Sequence, residues 1–172
     1  PERRPVDAHG DEETDDQRAA IEDVINDHEK GQSADRLVCG DVGYGKTEVA
    51  LRAAFITSLS GKQVAVIVPT TLLARQHFKN FKERFRDFPM HVEQISRLVS
   101  PSKVAEIKAG MATGDVDIVI GTHALLAKNI VFNDLGLLVV DEEQHFGVSH
   151  KERLKKLKTD VHVLTLTATP IP

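Results

Sequence analysis

Arg36-Leu37-Val38-Cys39-Gly40-Asp41-Val42-Gly43-Tyr44-Gly45-Lys46-Thr47 decides the fold. Its first four residues read as a short apolar strand. Gly40 to Thr47 then fit the pattern Gly-x-x-x-x-Gly-Lys-Ser/Thr at a strand-to-helix turn. Glycines there let the backbone curl so that successive N–H groups point inward at phosphate oxygens, and the helix opening near Lys46 adds the positive end of its dipole. Gly40, Asp41, Val42, Gly43, Tyr44 and Gly45 form the cradle, Lys46 reaches for the β- and γ-phosphates, and Thr47 is placed to ligate Mg. With average glycine usage of about 7%, the four fixed positions match by accident in on the order of one chain in a few hundred, so a plain Gly-rich turn is the weaker reading.

Outward from this loop the chain repeats one theme: a Val- and Ile-rich run, a turn, then a segment with helical spacing. The runs predict strands over Arg36–Cys39, Gln63–Val68, Val92–Ser96, Asp117–Ile120, Leu137–Val140 and Val161–Leu166. The spacing predicts helices over Lys46–Leu59, Thr71–Phe85, Pro101–Met111 and Lys151–Leu157, the third opened by Ser100 as cap and Pro101 at the first helical position. Before the loop, Thr14-Asp15-Asp16-Gln17 matches a capping box, and Ala20, Ile21, Val24 and Ile25 share one helical face, so a first helix is expected from Thr14. Alternation of this kind means an α/β fold with a mostly parallel central sheet and helices on both faces. Ligands in such sheets bind beyond the carboxyl ends of the strands, where these motifs fall.

The second chemical motif is Leu137-Leu138-Val139-Val140-Asp141-Glu142-Glu143-Gln144, an apolar strand ending in acids. Acids after a strand are often only a solvated loop. Paired with a phosphate loop, they read better as Asp141 holding Mg and Glu142 polarising the attacking water as general base, which makes Lys46, Asp141 and Glu142 the candidate catalytic residues. Glu143 and Gln144 could relay onward from the metal site, and His145 could equally be a surface histidine.

With 172 residues and 41% hydrophobic, the chain suits one domain with a buried core. A formal net charge of -4 with 28% charged residues excludes a uniformly basic nucleic-acid coat and leaves room only for a local basic face. Cys39, the single cysteine, cannot form an internal disulfide and reads as a small buried strand residue; no apolar run reaches the ~18 residues of a membrane span, so a cytoplasmic protein without membrane contact is expected. Asp7 to Asp16 carries Asp7, Asp11, Glu12, Glu13, Asp15 and Asp16 with almost nothing apolar, which predicts an acidic flexible lead-in over residues 1–13 to a single lobe over residues 14–172. The start at Pro1-Glu2-Arg3-Arg4-Pro5 and the stop at Pro172 read as those of an excised fragment.

Gln17, the Gly40–Thr47 loop, Pro69-Thr70-Thr71-Leu72-Leu73-Ala74, Gly121-Thr122-His123, Asp141-Glu142-Glu143-Gln144 and Thr167-Ala168-Thr169-Pro170 stand in the order of the first-lobe motifs of superfamily 2 helicases and translocases, which the chain resembles over roughly Glu12 to Pro172. The resemblance implies a RecA-like P-loop NTPase lobe using ATP and Mg. Within the group, Arg36 to Gly43, Glu48-Val49-Ala50 and Phe146 to Arg153 are similar to a branch that tracks on double-stranded DNA, pushes stalled RNA polymerase and recruits excision-repair proteins. By matching positions, Gln17 would recognise adenine; Thr70, Thr71, Thr122 and His123 would lie along the DNA backbone; and Gln144, Thr167 and Thr169 would couple phosphate state to the DNA face. The resemblance also implies a second RecA-like lobe with arginine fingers, absent from this chain and worth ~10³ or more in turnover. Structural readings stand beside these: Gln17 also partners Thr14 in the capping box, Thr70 could simply cap the next helix, and His123 could be no more than a helix-start residue. His9-Gly10-Asp11 replaces the usual aromatic-proline-aromatic cluster, a departure that bears on stacking against adenine.

Branch-migrating helicases of the RecG type share the Gly-Asp-Val-Gly loop and the Phe-Gly-Val stretch, and form the nearest alternative. A GTPase-like switch would need an Asn-Lys-x-Asp guanine reader, which the sequence lacks, and a third alternative is a docking module without independent catalysis. Lys79, Lys82, Arg84 and Arg86, and the later Lys151, Arg153, Lys155, Lys156 and Lys158, could touch phosphate, but a helix's solvated face is the commoner explanation. Phe78, Phe81 and Phe85 recur at helical spacing and mark core rather than a base-stacking platform.

Overall fold

The computed structural model describes residues 35–39, 44–141 and 161–167. Six strands are present: β1 (Asp35–Cys39), β2 (Gln63–Ile67), β3 (Val92–Ile95), β4 (Ile118–Gly121), β5 (Leu135–Asp141) and β6 (His162–Thr167). Three helices, α1 (Tyr44–Leu59), α2 (Thr71–Arg84) and α3 (Pro101–Thr113), alternate with them, and a short 3-10 turn covers His123–Leu126. The strands form one sheet in the order β1-β6-β5-β2-β4-β3, with every neighbouring pair parallel. This is the α/β architecture the alternation predicts. The expected first helix from Thr14 and the helix Lys151–Leu157 lie outside the described residues.

Side chains alternate across the sheet with a period of two, and each face carries its own core. Val64, Val66, Leu137, Val139, Ile118, Ile120, Leu164 and Leu166 face α1 and α2, where Val49, Ala50, Ala53, Ala54, Ala74, Phe81 and Phe85 meet them. Ala65, Ile67, Val119, Leu138, Val140 and Val163 face Ile107 and Met111 of α3 and Leu125 and Leu126 of the 3-10 turn. Burial on both faces explains why β2 and β5 read as continuous apolar runs rather than as alternating ones. Phe81 and Phe85 are core, as their spacing indicates, and Phe78 packs partly buried against them.

Element ends follow local chemistry. Ser100 Oγ accepts from Lys103 N at 3.3 Å to open α3, and Gly114, at φ 90°, closes it in the left-handed conformation. That helix runs two residues past the expected Met111 because the glycine, not the last apolar residue, stops it. Strand β5 is longer than its apolar run at both ends, taking in Gly136, whose missing side chain admits Lys62 alongside, and ending on Asp141.

At the amino end of the sheet, Gln63 ties three segments together. Its Nε2 donates to the carbonyls of Met111 (2.9 Å) and Val116 (2.8 Å), and its Oε1 accepts from Asp134 N (2.9 Å). Every polar atom of this buried amide is used. Gln63→Leu is expected to orphan the Val116 carbonyl and the Asp134 N–H, while the Met111 carbonyl keeps its bond from Asn133 N at 3.1 Å, and to cost roughly 2–4 kcal/mol, read as a lower urea midpoint at unchanged slope. An unchanged midpoint would mean that water replaces the amide.

Candidate functional site

The site lies at the carboxyl ends of β1, β6 and β5, three adjacent strands. Cys39 ends β1 beside Thr167 of β6, and Asp141 ends β5 beside Leu166, so the backbone of Thr167 stands between the strand that enters the phosphate loop and the strand that delivers Asp141. Parallel pairing brings Lys46 and Asp141, far apart in sequence, into contact. Lys46 Nζ donates to Asp141 Oδ1 at 3.0 Å, and both side chains are buried. Lys46 and Thr47 sit in the first turn of α1, with Thr47 half-buried.

A third group completes this cluster. His77, buried on the inner face of α2 with Ala74 and Phe81, places Nε2 3.7 Å from Asp141 Oδ2. That separation is longer than a direct hydrogen bond, so the imidazole faces the carboxylate across a short gap. Burial alone would push the Asp141 carboxyl up; the facing His77 and Lys46 groups outweigh it and hold the carboxyl below the usual aspartate range. The carboxylate is therefore ionised at neutral pH, as a metal ligand must be.

The described residues fit a nucleotide-borne Mg ion. Asp141 offers a hard, ionised oxygen, and the Lys46 ammonium against Oδ1 shows that the position accepts a cation. Among the described residues no group of three or more His, Cys, Asp or Glu could hold a metal by itself. Mg asks for less, since it binds through one or two carboxylates together with substrate phosphates and water.

Among the DNA-facing candidates, Thr70 and Thr71 follow β2 and Thr122 and His123 follow β4, and these strands are hydrogen-bonded neighbours. The four residues are thus brought together at one end of the sheet. Thr70 Oγ1 accepts from Leu73 N at 3.2 Å as the cap of α2, and Thr122 Oγ1 accepts from Ala124 N at 3.5 Å as the cap of the 3-10 turn. The capping role of Thr70 is real; Thr70 and His123 are exposed, and Thr122 is half-buried. Gly121 enables the close approach here: a Cβ on it would stand 2.8 Å from the Ile95 carbonyl and 2.9 Å from Leu125 Cγ.

The basic run on α2 is divided. Arg84 is engaged: its Nη1 and Nη2 donate to Glu48 Oε2 (3.0 Å) and Oε1 (2.6 Å), while Lys82 Nζ lies 5.2 Å from the Phe78 ring centroid. Lys79 and Arg86 are exposed. Gln17, Gly40, Asp41, Val42, Gly43, Glu142, Glu143, Gln144, His145 and Thr169 lie outside the described residues, as do the side chains of Cys39, Tyr44 and Thr167, while the backbone of Gly45 lies in the first turn of α1.

Sequence reasoning missed His77 and Glu48. The signal for His77 was a polar residue at the inward positions shared with Ala74 and Phe81, a pattern more often explained by a core histidine. For Glu48 it was a carboxylate among the apolar residues Val49, Ala50, Ala53 and Ala54, needing a buried cation.

A parallel sheet entered by a phosphate-loop pattern, with a buried Lys-Asp pair at its carboxyl end, defines a RecA-like P-loop NTPase lobe. Residues 14–172 match the DEAD/DEAH box helicase family, and the chain belongs to it. It is 60% identical over 159 residues to the transcription-repair-coupling factor of Staphylococcus haemolyticus (strain JCSC1435), covering 92% of this chain and 14% of that protein. The corresponding protein of Staphylococcus aureus (strain USA300) is 58% identical over the same share of both. The chain thus spans 14% of the length of these relatives. Among solved structures, RecG bound to a three-way DNA junction superimposes with a TM-score of 0.79 at 38% identity, covering 92% of this chain and 21% of that one. The helicase domain of Pyrococcus furiosus Hef, at 23% identity, shares the fold with a TM-score of 0.69 over 91% of this chain and 33% of its own. Among the described residues no helix is long and apolar enough to cross a membrane.

Proposed function

We propose that residues 14–172 are the ATP-binding lobe of a cytoplasmic DNA translocase that works with a second RecA-like lobe, with residues 1–13 as an acidic lead-in. The buried 3.0 Å pair between Lys46 and Asp141 is the observation that carries this reading. It joins the two motifs a P-loop ATPase needs and gives each charge a partner while nucleotide is absent. With Mg-ATP bound, Lys46 would face phosphate oxygens and Asp141 with Thr47 would hold the metal, so neither buried charge would be left alone. Bound Mg neutralises charge on the phosphates. Glu142 positions and activates water, Gln17 reads adenine, and the cradle of Gly40, Asp41, Val42, Gly43, Tyr44 and Gly45 holds the phosphates.

Double-stranded DNA lies along Thr70, Thr71, Thr122 and His123 in this reading, with Gln144, Thr167 and Thr169 linking phosphate state to that face. Displacement of stalled RNA polymerase and recruitment of excision-repair proteins belong to the longer protein. The 60% identity to a transcription-repair-coupling factor, against 38% to RecG, favours this over a branch-migrating helicase. Without arginine fingers from a second lobe, the chain alone binds Mg-ATP but hydrolyses it feebly and does not translocate.

Titration calorimetry with Mg-ATP tests the reading. The wild type is expected to bind ATP more tightly than GTP, and Lys46→Ala to lose that binding by about 10²-fold or more. Equal binding by both proteins would refute the phosphate-loop assignment, and strong DNA-stimulated hydrolysis by this chain alone would refute the need for a second lobe.

A further inference from the structure

His77 is buried, comes from a helix separate from either nucleotide motif, and faces the one Asp141 oxygen that Lys46 leaves open. Its ring stands edge-on to Phe81, with centroids 6.4 Å apart and planes at 70°, so packing fixes the imidazole's direction. Its Nδ1 is buried and has no hydrogen-bond partner among the described residues. An imidazole kept dry on one side, with its other nitrogen aimed at a carboxylate, is a costly core residue unless that carboxylate needs it.

We propose that His77 is a positioning residue for Asp141, holding the carboxylate in its metal-ready orientation once Lys46 has moved to phosphate. The inference rests on the nucleotide-site reading above. With Lys46 paired, Asp141 is gripped from both oxygens; with Lys46 gone, His77 is the remaining described side chain that restrains the carboxylate. Outer groups of this kind orient metal ligands, and their loss typically costs about 10- to 100-fold in metal affinity.

The test is Mn²⁺ binding by electron paramagnetic resonance to the chain saturated with ADP, alongside ADP binding in EDTA, for wild type, His77→Leu and His77→Gln. His77→Leu keeps a similar bulk without a polar atom, and His77→Gln restores an N–H. His77→Leu is expected to weaken Mn²⁺ binding by about 10-fold or more while metal-free ADP affinity stays within about twofold, and His77→Gln to recover most of the loss. Unchanged Mn²⁺ affinity in His77→Leu would overturn the proposal. So would an equal loss of metal-free ADP binding, because that marks a merely structural role. If the wild type itself binds no ADP, the nucleotide-site reading fails first and the positioning role falls with it.

Discussion

Lys46→Met is expected to destabilise the chain by about 3 kcal/mol at pH 7, because it strands the Asp141 carboxylate in a buried position. The low end of the range for broken buried pairs applies, since His77 stays 3.7 Å from the other oxygen. The pH dependence follows from the direction of the Asp141 shift. In the wild type the native carboxyl lies below its unfolded value of about 3.9, so the pair's contribution is complete above about pH 4 and is lost as pH falls through the lowered native value. In the variant, burial is opposed by His77 alone; the carboxyl moves up and takes a proton sooner. The stability gap between the two proteins therefore narrows as pH falls from 7 toward 4.

Asp141→Asn in the Lys46→Met background should recover most of the loss at pH 7, because it removes the stranded charge. Urea unfolding of the three proteins at pH 7 and 4.5 reads all of this. A Lys46→Met protein as stable as wild type at pH 7 would mean that the 3.0 Å pair is solvated rather than buried. The same substitution abolishes nucleotide binding in the functional reading, so its stability cost must be known before any loss of binding is assigned to chemistry.

The sheet was legible because its strands are buried on both faces. Val64 to Ile67 and Leu137 to Val140 are continuous apolar runs, and such runs separated by helical spacing point to a parallel sheet whatever the order of the strands. That order, β1-β6-β5-β2-β4-β3, is not written in any one segment. It arises from which helix covers which face, a tertiary choice. Lys46 and Asp141 could be paired from the sequence because both motifs are local and chemically specific. His77 could not, since its meaning depends on α2 bringing it against Asp141 at the end of β5, and no local pattern carries that approach. Arg84 was read as one of a basic run for the same reason: its partner, Glu48, lies on another helix.

Glu48→Ala should be among the most destabilising substitutions outside the nucleotide site, costing about 3–5 kcal/mol. Glu48 is buried between α1 and α2, and its two oxygens accept three charge-assisted bonds: Arg52 Nε at 2.6 Å, Arg84 Nη2 at 2.6 Å and Arg84 Nη1 at 3.0 Å. The Arg84 fork is bidentate, the geometry in which such pairs are strongest. Removing the carboxylate leaves two guanidinium groups facing each other across a largely dry seam, and Arg84, at 13% side-chain exposure, has little water to turn toward. Replacing both Glu48 and Arg84 by leucine should instead recover much of that loss, with Arg52 alone losing its Glu48 partner, because a buried ion pair gains little over well-packed apolar groups and loses heavily only when it is broken. The double-mutant cycle in urea is therefore expected to give a coupling of about 3 kcal/mol, and a coupling near zero would show that the seam is wet. The seam has a functional consequence as well. Helix α1 carries Lys46 and Thr47, while α2 carries His77 and opens at Thr70 and Thr71, so the Glu48 clamp sets the distance between the two helices that converge on Asp141. Glu48→Ala should accordingly loosen Mn²⁺ binding at the ADP-saturated site even at temperatures where the chain remains folded, whereas the double leucine variant, which keeps the helices packed, should bind Mn²⁺ nearly as the wild type does.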